Sequence, residues 1–510
     1  MTLTRRDFLR FSALGLGGSL LAACGLRNLP GVTPAPTAGS LPSLPVVPTL
    51  AATPTLAAPH ASAVTASSSA ALTLGEILGR PTAHEVTLSL LPAQAAELYY
   101  EFGTASGQYA ARTETLTVSA GSPVHQVFTA LQPATRYYYR SRSRPAGSGD
   151  FAAGGEHSFV TQRPAGESFT FTVDADPHNQ DPNFDAELYA LTLANALKDR
   201  PDFHVNLGDT FMTEKLGVND LAGVVASYTN MRPRLAAIAA DAPLFLVNGN
   251  HEGELGWLLD GSADNLAVWC TQTRQAYFPN PVPNDFYSGS TTREAIIGVR
   301  DSFYAWSWGD ALFVALDPFW YTHAKPAKQA NGGWGYTLGK TQYDWLQQAL
   351  ETSPAKFKFV FIHNLVGGND KDARGGIEAA PYYEWGGKNA DGSDGFASQR
   401  PGWGMPIHQL LVRNHVSALF HGHDHVFVHQ ELDGVVYQEF PQPSLAKYDN
   451  TGLAAQYGYT HGDVLSSSGH LRVTVGPQQA TVDYVRAYRP QDETAARKNG
   501  QVDFSYTLSA

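Results

Sequence analysis

Five short polar clusters, each at the end of an apolar run, are the residues of this chain most suited to chemistry. They are Asp176-Pro177-His178, Gly208-Asp209, Gly249-Asn250-His251-Glu252, His363-Asn364 and Gly422-His423-Asp424-His425. Asp, Asn and His offer oxygen and imidazole ligands, and none of the clusters contains a cysteine. This donor set suits borderline to hard ions such as Zn, Mn, Fe or Co. The residue types therefore predict a metal site.

The runs that precede these clusters predict how they are positioned. Segments with helical periodicity, such as YALTLANALKDR and TQYDWLQQALE, are followed by short apolar runs such as FHVNLGD and KFVFIHN. Helix followed by strand, repeated, indicates an α/β domain. Loops at the carboxyl ends of neighbouring strands converge in such sheets, so we expect one common site there. Glycines before Asp209, Asn250 and His423 are expected to let the backbone turn sharply beneath it.

The order of the clusters adds a resemblance to a known family. D-x-H, G-D, G-N-H-E, a lone His and G-H-x-H, in this order over about residues 167–488, resemble the motifs of the calcineurin-like metallophosphoesterase superfamily. One such motif alone is weak evidence, but five in order at strand ends are specific. The resemblance implies an α/β (α+β) four-layer sandwich, the metallophosphoesterase domain, over residues 164–510.

The same resemblance implies roles for individual residues. One metal would be held by Asp176, His178, Asp209 and His425, and Asp209 would bridge to a second metal held by Asn250, His363 and His423. His251 would not bind metal but would act as general acid at the leaving group. A metal-bridging hydroxide would attack phosphorus, which needs no covalent nucleophile. His421 and Asp174 receive no ligand role and are expected to be supporting residues.

The segment before the catalytic domain predicts a second, all-β domain over residues 72–163. Its alternating runs, and the L-x-P-x-T-x-Y pattern from Leu131 to Tyr137, resemble a fibronectin type III-like sandwich with a tyrosine corner. A spacer is favoured over a binding module, because no cluster of ligand groups stands out. A sandwich before such a catalytic domain also resembles the purple acid phosphatases. However, Asp209 is followed by Thr210-Phe211-Met212 and not by a tyrosine ligand, and His178 is present, which argues against an iron–tyrosinate centre.

The N-terminus predicts export. Residues 1–24 combine Arg5-Arg6, an apolar stretch and LAAC, which resembles a twin-arginine lipoprotein signal with Cys24 as the lipidated residue. An ordinary signal peptide with a chance cysteine is the alternative. Residues 25–71, rich in Pro, Ala, Thr and Ser, predict a disordered stalk. The protein is therefore expected outside the cytoplasm, anchored to the cell membrane. Cys270 is expected to be buried and unpaired.

Charge and length limit the function classes. The 510 residues are too many for one core, and the formal net charge of −12 argues against nucleic-acid binding. The expected partner is a small phosphate ester, and the expected cofactors are two divalent ions or a mixed pair with iron, with Fe, Zn or Mn favoured. A phosphomonoesterase is favoured, with a phosphodiesterase or nucleotidase as alternative and a surface binding lipoprotein as the non-enzyme alternative. Four basic residues of the long loop Leu365–Gly404 are candidate phosphate contacts, unless that loop is surface padding: Lys371, Arg374, Lys388 and Arg400.

Overall fold

The computed structural model describes residues 73–147, 149–216, 220–326, 332–370 and 372–510. The export signal and stalk expected at residues 1–71, with Cys24, lie outside these described residues, as does Lys371. Within these ranges, the helices are too short or too polar to cross a membrane.

Residues 73–160 form strands in two sheets. The strands are β1 (Thr73–Gly79), β2 (Val86–Pro92), β3 (Ala96–Gly103), β4 (Ala111–Arg112), β5 (Leu116–Val118), β6 (Val124–Phe128), β7 (Arg136–Pro145), β8 (Ala152–Ala153) and β9 (His157–Val160). One sheet has the order β1-β2-β6, and the other centres on the antiparallel pair β3 and β7. Both sheets contribute to one apolar cluster, in which the rings of Phe128 and Tyr139 lie 5.6 Å apart. The backbone N–H of Gln132 donates to Tyr137 Oη at 2.9 Å and fixes the loop before β7.

Residues 169–509 form two larger sheets flanked by helices, and a separate two-stranded ribbon of Arg293–Glu294 and Gly298–Val299. The strands are β10 (Phe169–Asp174), β11 (Phe203–Asn206), β12 (Leu244–Leu246), β13 (Ser288–Gly289), β14 (Arg293–Glu294), β15 (Gly298–Val299), β16 (Tyr304–Trp308), β17 (Ala311–Ala315), β18 (Phe357–Phe361), β19 (Ala418–His421), β20 (Phe427–Leu432), β21 (Val435–Glu439), β22 (Asp463–Leu465), β23 (Gly469–Val475), β24 (Gln479–Arg486) and β25 (Val502–Ser509). The α-helices are α1 (Ala186–Lys198), α2 (Leu221–Ala239), α3 (Leu266–Tyr277), α4 (Lys340–Thr352), α5 (Tyr383–Gly386), α6 (Phe396–Gln399), α7 (Ile407–Arg413) and α8 (Gly452–Gln456).

The two larger sheets differ in the number of strands, but each contains both parallel and antiparallel strand pairs. The six-stranded sheet has the order β12-β11-β10-β23-β24-β25, and β10, β11 and β12 are parallel. The eight-stranded sheet has the order β13-β16-β17-β18-β19-β21-β20-β22, and β17, β18, β19 and β21 are parallel. The mixed α/β class predicted from the sequence is thus confirmed.

An aromatic core joins the inner faces of these sheets. Phe171 of β10 stacks on Phe203 of β11 at 5.3 Å and meets Phe313 of β17 edge-on at 5.2 Å. Along β10, Phe169, Phe171 and Val173 belong to this core. Because side chains of a strand alternate between faces, Asp174 lies on the opposite face, beneath the helices.

Helices cover both outer faces. Side chains of α1, α2 and α3 pack with Leu244 and Leu246 of β12, whereas those of α4 and α7 pack with Val360 of β18 and Leu419 of β19. The molecule thus stacks helices, sheet, sheet and helices in this order, and the ends of both sheets meet at one edge.

The two-sheet segment of residues 73–160 packs against α2. The buried guanidinium of Arg232 donates to the carbonyl oxygens of Ser89 at 2.6 Å and Gly75 at 3.2 Å. Tyr139 donates to the carbonyl of Ala240 at 2.6 Å. Burial lowers the pKa of Arg232 to about 10, but its side chain pairs mainly with neutral carbonyls. These contacts attach the two-sheet segment directly to the layer that lies over β12.

Candidate metal centre

The loops that follow β10, β11, β18 and β19 place two carboxylates among several imidazoles. His178 Nε2 lies 3.6 Å from Asp176 Oδ1 and 3.4 Å from Asp209 Oδ2. His425 Nε2 lies 3.5 Å from Asp176 Oδ1, and His363 Nε2 lies 3.2 Å from Asp209 Oδ2. Residues from four of the five strand ends that the sequence predicts to converge therefore meet at one point.

Three groups of side chains at this point are able to hold an ion. They are Asp176 with His178 and His425, His178 with Asp209 and His251, and Asp209 with His363 and His423, and within each group the ligand atoms lie within 4.8 Å of one another. The first and third groups coincide with the two ligand sets that the resemblance implies, apart from Asn250 and the sharing of Asp209. The structure also brings His251 within 3.8 Å of Asp209 Oδ2.

Buried polar atoms without hydrogen-bond partners test whether metals fit this site. Four such atoms belong to the predicted ligands: Asp176 Oδ1, His178 Nε2, Asn250 Oδ1 and His363 Nε2. Leaving a buried polar atom unpaired costs about 1–3 kcal/mol, so proteins rarely tolerate several in one place. A metal pair would satisfy all four at once, and the donor set is the one that borderline to hard ions prefer. The residues therefore fit two metal ions.

A backbone contact fixes the orientation of His363. Its Nδ1 lies 2.8 Å from the carbonyl oxygen of Leu207, which only accepts, so Nδ1 carries the proton and donates. The other ring nitrogen of the neutral ring is then an acceptor, 3.2 Å from the carboxylate of Asp209. Two acceptors at that separation would repel each other, so the contact requires either a second proton on Nε2 or a metal ion between the two atoms. The contact thus points both atoms at a cation site.

His423 is oriented in the same way from another loop. Its Nε2 lies 2.7 Å from the carbonyl oxygen of Asp372 and donates to it, which leaves Nδ1 for the metal site. Its ring lies 5.3 Å from that of His363. A loop residue far along the chain therefore selects the tautomer of this predicted ligand.

The electrostatics of the site attract cations. Burial alone would lower the pKa of His363, but the carboxylates of Asp209 and Asp176 outweigh it and raise that pKa to about 10. Burial is likewise outweighed by Asp176 and Asp209 at His178, whose pKa rises to about 9. The same field that would hold a proton on these rings would hold a metal ion in its place.

The backbone of the ligand loops is unusual. Five predicted ligands have positive φ angles: Asp176 (58°), His178 (53°), Asp209 (53°), His423 (84°) and His425 (61°). Non-glycine residues adopt this left-handed region rarely, and such residues concentrate at functional sites. Each loop therefore makes a tight turn where it delivers its ligand.

The glycines before these ligands have two different physical roles. Gly208 has a φ of 97°, which agrees with the predicted sharp turn. The prediction is wrong for Gly249 and Gly422, whose φ angles are not positive. A Cβ at Gly422 would overlap the carboxylate of Asp176, and one at Gly249 would overlap Asp209. These two glycines are needed for close approach of the backbone to the ligands.

Glu214 supports His251, and sequence reasoning did not identify it. His251 Nδ1 lies 3.1 Å from Glu214 Oε2 and donates to it, which turns Nε2 towards Asp209. Burial would raise the pKa of Glu214, but the hydrogen bond from His251 outweighs it and holds that pKa below its ordinary value. The signal in the sequence was an acidic residue five positions after Asp209.

Glu252 holds two ligand loops together, a role that the G-N-H-E motif alone does not reveal. Its Oε2 accepts from the backbone N–H of Asp209 at 2.9 Å and of Gly249 at 2.5 Å. Its Oε1 accepts from the N–H of Thr210 at 2.6 Å and of Phe211 at 3.2 Å. One buried carboxylate thus fixes the loop of Asp209 against the loop of Asn250.

His421 and Asp174 lie outside the three ion-binding groups. His421 Nδ1 lies 2.7 Å from Glu439 Oε2. Burial, with help from His363, lowers the pKa of His421 to about 3, and burial raises the pKa of Glu439 well above its ordinary value. Asp174 accepts from Asn206 Nδ2 at 2.8 Å beneath the site.

Two of the four basic residues in the long loop after His363 have partners within the protein. Arg374 pairs with Asp424 at 3.1 Å and donates to the carbonyl oxygen of His423, and its guanidinium lies 4.1 Å from the centre of the Tyr457 ring. Arg400 pairs with Glu384 at 2.5 Å. Both arginines therefore stabilise the loop, and Lys388 is exposed.

Comparisons with known proteins agree with this geometry. The calcineurin-like phosphoesterase family model matches residues 169–427. The structure of PhoD is similar with a TM-score of 0.61 and 16% identity, over 87% of this chain and 92% of that chain. The purple acid phosphatase PPD1 from yellow lupin (Lupinus luteus) seeds is similar with a TM-score of 0.56 and 16% identity, over 85% of this chain and 74% of that chain.

At this level of identity the two structures show a shared fold alone. No curated protein sequence matches the chain. The match of the family model covers all five strand ends and their polar clusters, from β10 to the start of β20. The chain belongs to the calcineurin-like phosphoesterase family and is a metal-dependent phosphoesterase.

Proposed function

We propose that the chain hydrolyses phosphate monoesters at two metal ions. The first ion would be held by Asp176, His178, Asp209 and His425, and the second by Asp209, Asn250, His363 and His423. The observation that carries the proposal is the convergence of three buried, unpaired ligand atoms on one point, namely Asp176 Oδ1, His178 Nε2 and His363 Nε2. His251 also reaches Asp209, but its ring is held by Glu214, so we assign it to the substrate.

The ions, when bound, supply Lewis acidity that activates water and neutralises charge on the phosphate. The chain supplies the positions. The tautomers of His363 and His423 are set by backbone carbonyls, so their free nitrogens need not reorient when an ion enters. Asp209 is held by Glu252 through its own N–H, and its Oδ1 accepts from the N–H of His251 at 2.8 Å.

His251 is proposed as the general acid. Its side chain is 14% exposed, so a leaving group can reach it. The proton on Nε2 would pass to the departing oxygen while Glu214 stabilises the charged ring through Nδ1. Donation of this kind is worth about 10²–10⁴-fold when the leaving group is a poor one.

The monoester preference rests on the similarity in fold to a purple acid phosphatase, together with the predicted metal pair. A phosphodiesterase or nucleotidase is the alternative. The expected ions are Fe, Zn or Mn, because the ligands are imidazoles and oxygens; Cys270 is buried and hydrogen-bonded to Thr213, outside the ion-binding groups. A surface lipoprotein without activity finds no support in the family match.

We further propose export through the twin-arginine pathway and a lipid anchor at Cys24. Residues 72–163 would then form a fibronectin type III-like spacer. The support is the LAAC sequence, the stalk composition and the Tyr137 contact before β7.

The test uses residues 72–510, purified and analysed for metals by mass spectrometry. We expect two ions per chain, and higher kcat/KM on monoesters than on matched diesters after each metal is restored. Asp209→Asn should abolish hydrolysis and lower metal occupancy, whereas Asp310→Asn, which removes only an ion pair with Lys356, should change neither. Higher kcat/KM on diesters would select the alternative. Less than one ion per chain with no activity would contradict the enzyme.

A further inference from the structure

A cavity of about 620 Å³ lies beside the metal centre and has no role in the reaction described so far. One wall is a stripe of α2 that includes Ser227, Asn230 and Arg234, and the other includes Asn179 and Gln180. These side chains are polar or basic. We call this cavity the α2 groove.

The α2 groove adjoins two loops of the metal centre. Asn179 directly follows the predicted ligand His178, whose ring lies 5.4 Å from that of His251. Leu216, at one end of the groove, is two residues beyond Glu214, which holds His251. The groove therefore has one lining residue next to a predicted ligand and another close in sequence to the partner of His251.

Arg234 gives the groove a positive charge with free donors. Its Nε is buried without a hydrogen-bond partner, and it forms no ion pair with any carboxylate in the described part of the chain. Its guanidinium lies over the ring of Phe184 at 5.1 Å. Acidic residues of the adjoining loop are engaged elsewhere: Asp185 with Arg489 at 2.5 Å, and Asp181 with the N–H of Asn183 at 2.8 Å.

Arg234 lies at the end of the groove wall away from Ser227. Ser227 donates to the carbonyl of Phe211, two residues from Asp209, so it marks the end of the groove nearest the metals. Arg234 lies seven residues further along α2, which is roughly 10 Å at 1.5 Å per residue.

We propose that the α2 groove binds a second anionic group on the leaving alcohol, with Arg234 as its main contact. Preferred substrates would be phosphate esters that carry a second phosphate or a carboxylate at a fixed distance from the scissile phosphorus. An arginine suits this task because its planar donors bind such anions in pairs. The inference rests on the proposed phosphoesterase function and narrows its substrate class.

The test is a series of linear substrates of increasing chain length. Straight-chain α,ω-alkanediol bisphosphates of increasing length are compared with ω-hydroxyalkyl monophosphates of the same lengths, and ω-carboxyalkyl phosphates show whether a carboxylate also serves. We expect a length optimum for the bisphosphates alone. Arg234→Gln should raise the KM of the optimal bisphosphate about tenfold or more with little change in kcat, and leave the monophosphate unchanged.

Two further variants sharpen the test. Asn230→Asp, at an exposed position of the groove, should weaken bisphosphates selectively by repulsion, and Arg234→Lys should restore part of the affinity. The matched control is Arg413→Gln at an exposed position of α7, which should change nothing. Equal effects of Arg234→Gln on both substrate classes, or no effect, would overturn the inference.

Binding without turnover separates this inference from the proposed function. Calorimetry with uncleavable alkane bisphosphonates and monophosphonates should show tighter bisphosphonate binding that Arg234→Gln removes. Nitrophenyl phosphate hydrolysis by the metal-loaded wild type tests the phosphoesterase function alone. Normal hydrolysis with bisphosphonate binding unaffected by Arg234→Gln would refute the groove and leave the function standing.

Discussion

Replacing Glu252 by Gln should weaken metal binding although Glu252 is not a predicted ligand. Its carboxylate accepts four backbone N–H groups, two on each oxygen. A glutamine keeps one oxygen and presents an NH₂ group to the other two donors. Two buried N–H groups then lose their acceptor, at about 1–3 kcal/mol each, or about 2–6 kcal/mol together. The lower limit alone corresponds to about 30-fold in an equilibrium constant.

This loss should be divided between stability and metal affinity, because both depend on ordered ligand loops. Competition with a chromophoric chelator measures the affinity, and thermal unfolding with and without metal measures the stability. We expect Glu252→Gln to lower both the melting temperature of the metal-free protein and its affinity for metal.

Two control variants separate the causes. Glu214→Gln removes a charge near the centre without removing an acceptor of backbone N–H groups, so it reports the purely electrostatic part. Glu384→Gln removes a buried carboxylate that accepts from Leu338 N at 2.8 Å in the opposite helical layer, so it should lower stability and leave metal affinity unchanged. A Glu252→Gln variant with wild-type affinity and melting temperature would refute the positioning role.

Three other predictions concern proton donation, anchoring and pH. His251→Ala should keep its metals, lose about 10²–10⁴-fold on alkyl phosphates and much less on nitrophenyl phosphates, which leave without a proton; equal losses contradict the acid role. Cys24→Ser should move active protein from membranes to the soluble fraction, and a wild type that is already soluble excludes the anchor. The hydrogen bond to Asp241 raises the pKa of His157 above its ordinary 6.5. Its stabilisation is therefore full below pH 6.5 and lost as pH rises through the raised pKa, and His157→Gln should flatten this dependence in thermal unfolding.

The positions of the predicted ligands could be read from the sequence because each follows an apolar strand directly. The strand before Gly208-Asp209 and the strand before His363 each place the following polar residue at the carboxyl edge of a sheet, and this depends only on the local sequence. The mixed α/β class follows from the same alternation of helix and strand. Local pattern is sufficient for these features.

The partners of those ligands could not be read in this way. The carbonyl that orients His363 belongs to Leu207, 156 residues earlier, and the one that orients His423 belongs to Asp372. Every residue type has a backbone carbonyl, so the amino-acid sequence does not reveal which carbonyl orients a given histidine. The loop arginines show that a residue type alone does not identify a partner. Arginine is suited to phosphate, but Arg374 pairs with Asp424, 50 positions away, which only the fold brings near.

The backbone conformation of the site gives a second reason, besides metal ligation, for finding Asp and His at these positions. Asp176, Asp209 and three histidines occupy the left-handed region, which Asn, Asp and His adopt several times more readily than other side chains. Residues held in such sparsely populated conformations cost of order 1–3 kcal/mol each and persist only where their surroundings fix them. The acceptors at Glu252 and the close approach at Gly422 provide that fixing. The residue types that bind the ions are thus also those that tolerate these turns. Asp209→Asn therefore tests the ligand itself, whereas alanine at the same position would also strain the turn that presents it.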